Sequence, residues 1–212
     1  MGRLADLDAV TFDANGTLIQ LVDPVPRLER VLGARGVART ASTIRRAFET
    51  EGRVYAGRAA EAHQPAAFAT VQRECTAVFL AELGADEIDP GEFVESYVDA
   101  MQFELLPGVR RCLERLRRCG IELGVVANFD RTLDERLGEL GLGPLFSAVV
   151  TPAWSGVAKP HPRIFELALE RLAISPVRAL HIGDGAADEE GAAAAGMMFA
   201  WSPIPQALED WA

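Results

Sequence analysis

The sequence predicts an α/β fold, in which a parallel sheet carries helices on both faces and an all-helical segment is inserted after the first strand. Three observations predict it. Residues 10–12 read as a short apolar strand that runs into a turn at Gly16. Residues 20–104 show helical apolar spacing without a convincing strand. From Pro107 onward, helical stripes and apolar strands alternate, the pattern of right-handed crossovers between parallel strands.

The elements follow in chain order. Val10 and Phe12 give the first strand its alternation. In the insertion, Ile44, Ala47 and Phe48 share one helical face. Phe68, Val71, Cys75, Val78 and Phe79 share a second, and Phe93, Tyr97 and Met101 a third. Breaks are expected at residues 24–26, 33–36, 65 and 89–91, where proline or glycine interrupts the pattern. After Pro107, Val109, Cys112, Leu113 and Leu116 form a stripe that precedes a strand at 121–127. Leu133, Leu137 and Leu140 precede a strand at 148–151, and Ile164, Phe165, Ala168, Leu169 and Leu172 precede one at 179–182. An alanine-rich helix over 186–195 leads to a last strand at 197–201, and Gly191 and Gly196 suggest close helix–sheet packing. The expected domains are a core of residues 1–20 and 105–212 and a helical module of 21–104, placed by its insertion point as a lid over the strand ends.

Composition narrows the function. With 49% hydrophobic and 25% charged residues among 212, the chain has the make-up of a globular protein large enough for one domain plus an insertion. A formal charge of −10 opposes a nucleic-acid or anionic-membrane partner. It leaves room for an anionic small molecule if a metal ion and local cations reverse the field in a cleft. No apolar run reaches membrane-spanning length, the amino terminus lacks the apolar core of a secretory signal, and the expected location is cytoplasmic. Cys75, Cys112 and Cys119 have no metal-site spacing, and Cys75 and Cys112 are expected as buried free thiols. Whether the protein is a monomer or a homodimer is open.

Four sequence-distant segments should meet at the carboxyl edge of the sheet, where open α/β folds bind ligands. Asp13 ends the first strand, and Asn128 ends the strand beginning at 121. Lys159 lies in Ala-Lys-Pro-His-Pro, and Asp184 and Asp188 follow the strand beginning at 179. Asp13 could be an attacking group, a metal ligand, or both. Asp13 and Asp184 offer hard oxygen ligands suited to Mg²⁺. Lys159 would offset repulsion between a carboxylate and an anionic substrate, and amide donors near Thr17 and Asn128 could hold transferring oxygens. These are the parts of a phosphoryl-transfer site working through a covalent aspartyl intermediate.

With these segments in this order, the chain resembles the haloacid dehalogenase-like (HAD) hydrolase superfamily over essentially its whole length. Asp13-x-x-Gly-Thr-Leu is similar to the first family motif and Asn128-Phe-Asp extends the second. Lys159-Pro-His-Pro resembles the third, and Gly183-Asp184-x-x-x-Asp188 the acidic fourth. The resemblance implies a Rossmann-like three-layer core with an inserted helical cap of the C1 type. It also implies a Mg²⁺-dependent hydrolase of a small phosphorylated metabolite. In that reading Asp13 is nucleophile and metal ligand, and the Asn15 carbonyl and Asp184 also hold the metal. Asp188 stands behind the metal or orients Lys159, and Asn15, Thr17, Asn128 and Lys159 contact the phosphoryl group.

Two positions depart from the family pattern. Asn15 stands where phosphatases of the superfamily usually carry an acid–base Asp, and a carboxamide delivers no proton near neutral pH. Ala127 stands where the second motif usually has Ser or Thr. They imply a weakened phosphatase, or one that favours leaving groups needing no protonation. Two other readings stay open. One is a metal-independent 2-haloacid dehalogenase-like hydrolase, opposed by the acidic fourth segment and by Asn15 in place of that branch's Tyr. The other is a catalytically silent HAD-fold binding or regulatory protein. Asp184 and Asp188 could instead cap the following helix, and His161 belongs to a helix start. His181 reads as a satisfied core histidine. His63, Arg45, Arg46, Arg53, Tyr55 and Arg58 in the helical module are candidates for choosing the substrate.

Overall fold

The structure, a computed structural model, describes residues 4–58, 61 and 65–209. It divides into two compact units, one of Met1–Gln20 with Phe103–Ala212 and one of Leu21–Gln102. In chain order, β1 (Ala9–Phe12) and β2 (Ile19–Leu21) precede four helices: α1 (Val25–Gly33), α2 (Ala41–Arg58), α3 (Pro65–Glu82) and α4 (Pro90–Ala100). Then come β3 (Phe103–Leu105), α5 (Val109–Arg118), β4 (Glu122–Val126), α6 (Leu133–Glu139) and β5 (Ala148–Val150). The chain continues through α7 (Pro152–Ser155), α8 (Pro162–Leu172), β6 (Ala179–Gly183), α9 (Ala186–Ala194), β7 (Met198–Trp201) and α10 (Ile204–Glu209).

The first unit holds a five-stranded parallel sheet in the order β5-β4-β1-β6-β7. Strand alternation divides its side chains between two apolar layers. Val10, Phe12, Leu123, Val125, Leu180 and Ile182 face α5, α6 and α10 through Val109, Leu113, Leu137 and Ile204. Ala9, Val126, Ala148, Val150 and Ala179 face α8 and α9 through Ile164, Phe165, Ala168 and Ala192. Burying each large side chain contributes about 1.5–3 kcal/mol, which fixes the strand registers. Thr11 and His181 share the second face and lie opposite each other in the β1–β6 register.

Three sequence expectations change here. β2 and β3 pair in a separate two-stranded sheet, so the helical stretch begins and ends inside residues 20–104. Three-residue strands are too short to show alternation, and their partners lie more than eighty positions away, as in the Gln20 Nε2 to Glu104 Oε1 bond of 2.7 Å. Gly191 does allow a close approach, but toward α8: a Cβ there would come within 2.3 Å of the Phe165 ring. Gly196, at φ +76°, serves the turn that ends α9. Cys112 is only half-buried, on the margin of the α5 stripe, while Cys75 is buried and Cys119 exposed.

The second unit is a helical bundle with its own core. Val25, Leu28 and Leu32 of α1 pack with Ile44 and Ala47 of α2, Phe79 and Leu80 of α3, and Phe93 and Tyr97 of α4. The predicted breaks mark helix ends: Pro26 and Pro65 lie in first turns, and Asp89 caps α4 by accepting from the Gly91 and Glu92 amides at 2.7 and 3.1 Å. Glu51 is also buried in this unit, and the Tyr97 hydroxyl donates to its Oε2 at 2.7 Å.

Candidate active site

β1 ends at Phe12, and the main chain of Asp13 continues the sheet by donating to the Ile182 carbonyl at 2.9 Å. The next residues form a tight turn in which the Ala14 carbonyl accepts from Thr17, Leu18 and Ile19. Gly16 makes this turn possible twice over. Its φ of +87° lies in the left-handed region, and a Cβ would sit 2.1 Å from Asp184 Oδ2. The missing side chain thus brings the turn after β1 against the carboxylate that follows β6. Gly183 does the same for Asp188, whose Cγ would lie 2.4 Å from a Cβ there.

Asp13, Asp184 and Asp188 offer oxygens that all lie within 4.8 Å of one another. Asp13 and Asp188 are buried, while Asp184 is exposed at the rim. Lys159, 7% exposed, joins the two buried acids: its Nζ donates to Asp13 Oδ1 at 2.5 Å and to Asp188 Oδ1 at 2.6 Å. Asp188 Oδ1 also meets His181 Nε2 at 2.9 Å, and Asp188 Oδ2 accepts from the Gly185 amide at 3.2 Å. The His181 Nδ1 meets Thr11 Oγ1 at 2.8 Å.

The two buried acids are in different electrostatic states. Burial pushes the Asp13 carboxyl up to about 6, against the pull of the Lys159 ammonium. Burial acts upward on Asp188 as well, but the His181 hydrogen bond and the Lys159 charge outweigh it and hold that carboxyl below its usual value. Burial likewise holds the His181 imidazole below its ordinary value.

The other expected residues divide into three groups. Asn15 is exposed, so a carboxamide and not a carboxylate faces outward from the turn. Thr17 is 1% exposed and its hydroxyl has no hydrogen-bond partner among the described residues. The Asn128 carboxamide was expected on the phosphoryl oxygens, yet both its ends grip the Lys159 main chain. Its Oδ1 accepts from the Lys159 amide at 2.7 Å, and its Nδ2 donates to the Lys159 carbonyl at 3.0 Å. Asn128 therefore fastens β4 to the segment that carries the lysine. Ala127 packs in the apolar layer with Phe12 and Val125. His161 caps α8, accepting from the Arg163 amide at 3.1 Å, as expected.

His181 is satisfied and fully buried, as expected, and its partner on Nε2 is Asp188. Sequence reading missed Thr11. The usable signal was alternation, which puts positions 11 and 13 on one face of the first strand and position 181 on the corresponding face of another. In the helical unit, Arg45 pairs with Asp23 at 2.8 Å, Arg53 donates to Thr50, and Arg58 pairs with Glu61 and Glu74. Arg46 is exposed, Tyr55 packs beside Phe68, Val71 and Cys75, and His63 lies outside the described residues.

The donor set fits a small hard cation: oxygens only, clustered, with one carboxylate at the rim and space created by glycine. Asp188 fits that role least, since both its oxygens already accept from Lys159, His181 and Gly185.

Comparison with known proteins gives a consistent answer. A family model described as haloacid dehalogenase-like hydrolase matches residues 7–196. The chain is 38% identical over 107 residues to a mouse haloacid dehalogenase-like hydrolase domain-containing protein 3, a match covering 50% of this chain and 43% of that protein. It is 35% identical over 98 residues to a glyceraldehyde 3-phosphate phosphatase of Pyrococcus abyssi, covering 45% of this chain and 41% of that one. These matches span less than half of each relative. A HAD hydrolase of Bacillus subtilis, solved bound to magnesium, has a similar fold, with a TM-score of 0.70 at 21% identity over 92% of this chain and 88% of that one.

Proposed function

The chain belongs to the haloacid dehalogenase-like hydrolase family, and on that premise we propose that it is a Mg²⁺-dependent phosphohydrolase of small phosphorylated metabolites. The observation that carries this reading is the Lys159 ammonium held between Asp13 and Asp188 beside the exposed Asp184. A buried lysine tied to the carboxylate that must approach an anion is what nucleophilic attack on phosphorus requires. An Asp13 oxygen attacks the phosphorus, the bond to the leaving oxygen breaks, and aspartyl-phosphate forms. Water then cleaves that intermediate, releasing inorganic phosphate and restoring the carboxylate.

Asp13, Asp184 and the Asn15 main-chain carbonyl would hold Mg²⁺, whose chemistry is to neutralise charge on the phosphoryl oxygens. Lys159 would offset the same charge, and the Thr17 hydroxyl, without a partner among the described residues, is a donor in reserve for a phosphoryl oxygen. Asn128 keeps Lys159 in place through its main chain. The helical unit, Leu21–Gln102, acts as the cap that selects the substrate. Among the described residues no helix is long and apolar enough to cross a membrane, and the three free thiols suit a reducing cytoplasm.

Asn15 narrows the substrate class. Without a proton donor at that position, the leaving oxygen departs as an anion, which favours acyl, enol and aryl phosphates over alkyl ones. The test is a metal-supplemented series of phosphate esters whose leaving groups differ in pKa, with Asp13→Asn as control. A steep rise in rate with leaving-group acidity is expected. A flat series overturns the leaving-group selectivity, and activity retained by Asp13→Asn overturns the mechanism. Asn15 and Ala127 together favour one other reading, a silent HAD-fold binding protein, which absence of turnover across the series would support. Chloride release from 2-chloropropionate in EDTA would instead indicate a dehalogenase.

A further inference from the structure

Asp188 lies at the centre of a buried chain of hydrogen bonds longer than the reaction itself needs. It runs from Thr11 Oγ1 to His181 Nδ1 at 2.8 Å, from His181 Nε2 to Asp188 Oδ1 at 2.9 Å, and on through Lys159 to Asp13. We infer that Thr11 and His181 are positioning residues for Lys159, a neutral strut that aims the Asp188 carboxylate and through it the lysine. The role deepens the phosphohydrolase reading and rests on it for its effect on rate, but not for its geometry.

The argument begins with proton assignment. An ionised Asp188 only accepts, so the ring nitrogen facing it, Nε2, must carry hydrogen. A neutral imidazole then has a bare Nδ1, which accepts from the Thr11 hydroxyl. Asp188 therefore selects the tautomer, and the Thr11 hydroxyl, able to donate or accept, turns to donate to the bare Nδ1 and holds the ring from its other end. His181 is fully buried, with the Phe165 ring edge-on at 5.0 Å, so it has little room to turn. It delivers one directed donor without adding charge to a site that already holds two buried carboxylates and an ammonium.

Removing that donor would leave Asp188 with Lys159 and the Gly185 amide. The shared oxygen Oδ1 would lose the partner on the side away from the lysine. The carboxylate could then rotate, and the Lys159 ammonium would follow it away from Asp13. Neither Thr11 nor His181 touches the reacting atoms in this scheme.

The experiment compares His181→Phe, which keeps an aromatic ring, with His181→Gln, which keeps an N–H able to reach Asp188, and with Thr11→Val. Thermal unfolding of His181→Phe, Lys159→Met and the double variant, in EDTA, reads the strut without requiring activity. The two melting shifts should fall short of adding by about 2 °C or more, as expected of groups in one network. Nitrogen-15 spectra of the imidazoles should show His181 neutral with hydrogen on Nε2, and the same tautomer in Thr11→Val, where Asp188 still faces that nitrogen. With p-nitrophenyl phosphate and Mg²⁺, His181→Phe should lower kcat about 10–100-fold at nearly constant KM, as loss of a supporting hydrogen bond does at comparable sites. His181→Gln should recover most of that rate.

Additive melting shifts, hydrogen on Nδ1, or equal rate losses in the Phe and Gln variants would each overturn the strut. If the wild-type protein shows no turnover, the phosphohydrolase reading fails, while the melting cycle and the spectra still decide for or against the strut.

Discussion

Asp188 in the first unit, buried beside Asp13, and Glu51 in the second are buried carboxylates treated in opposite ways. Asp188, 3% exposed, receives hydrogen bonds from Lys159, His181 and the Gly185 amide, and is held below its usual pKa. Glu51, 6% exposed, has the Tyr97 hydroxyl, and burial holds it above its usual pKa. Depth is almost the same; the partners differ. Burial alone therefore does not determine ionisation. For Asp188 a full-charge partner and two further donors together offset the lost hydration; Lys159 alone does not do so for Asp13, nor a single neutral donor for Glu51.

The largest effect should come from removing the cation that separates the two environments. Lys159→Met leaves Asp13 and Asp188 facing each other without a counterion, and breaking a buried pair in this way costs about 3–5 kcal/mol. Denaturant unfolding in EDTA near pH 7.5 should show a loss of that size. The loss should shrink toward pH 4, because both carboxylates can then take up protons and the missing charge matters less. A loss that does not vary with pH would mean that Lys159 stabilises by packing alone.

A new carboxylate at the exposed position 15 belongs to neither buried setting and should act on rate instead of stability. Asn15→Asp restores a proton donor, and such a group is worth about 10²–10⁴-fold. The gain should be greatest on alkyl phosphates and small on p-nitrophenyl phosphate. Gly16→Ala should cost about 1–2 kcal/mol from the left-handed backbone conformation alone. It should also weaken Mg²⁺ binding, measured by calorimetry, because the new methyl group displaces Asp184. Unchanged Mg²⁺ affinity in that variant would place the cation away from Asp184.

Much of this arrangement was legible in the sequence, for physical reasons that differ by residue. Asp13 and Asp184 directly follow strands, Lys159 lies just before α8 and Asp188 in the first turn of α9, all in segments with local signatures, so motif and topology together bring them to one edge. The long alternation after Pro107 made four strands visible because they come as short, mostly apolar runs between helical stripes. β2 and β3 were not visible, since three residues carry no period and each owes its existence to a distant partner. Asn128 was found, but its hold on the Lys159 main chain was not, because only folding reveals that this segment lies within reach of its carboxamide. Thr11 was missed because its hydroxyl meets an imidazole 170 positions away. Glu51 is a different kind of miss: Ile44, Ala47, Phe48 and Glu51 fall on one helical stripe, so its burial was readable, but Tyr97 from α4 as its partner was not.

The smallest effect sharpens the comparison from the Glu51 side. A carboxylate whose folded pKa is raised destabilises the fold when charged. That cost is fully present above the folded pKa and disappears as pH falls below the unfolded value, near 4.5. Burial first, and then Glu51 itself, hold the Tyr97 phenol above its ordinary value, so its hydroxyl stays a donor throughout this range. Glu51→Gln keeps an oxygen to accept that hydrogen bond and removes the charge. The variant should be more stable than the wild type at pH 7.5 by on the order of 1 kcal/mol, and the advantage should vanish by about pH 4. Melting temperatures of the two proteins across this range provide the measurement, because other titrating groups cancel in the difference. Curves that run parallel from pH 4 to pH 8 would show that Glu51 is charged in both states at little cost, and the contrast with Asp188 would then lie in geometry and not in ionisation.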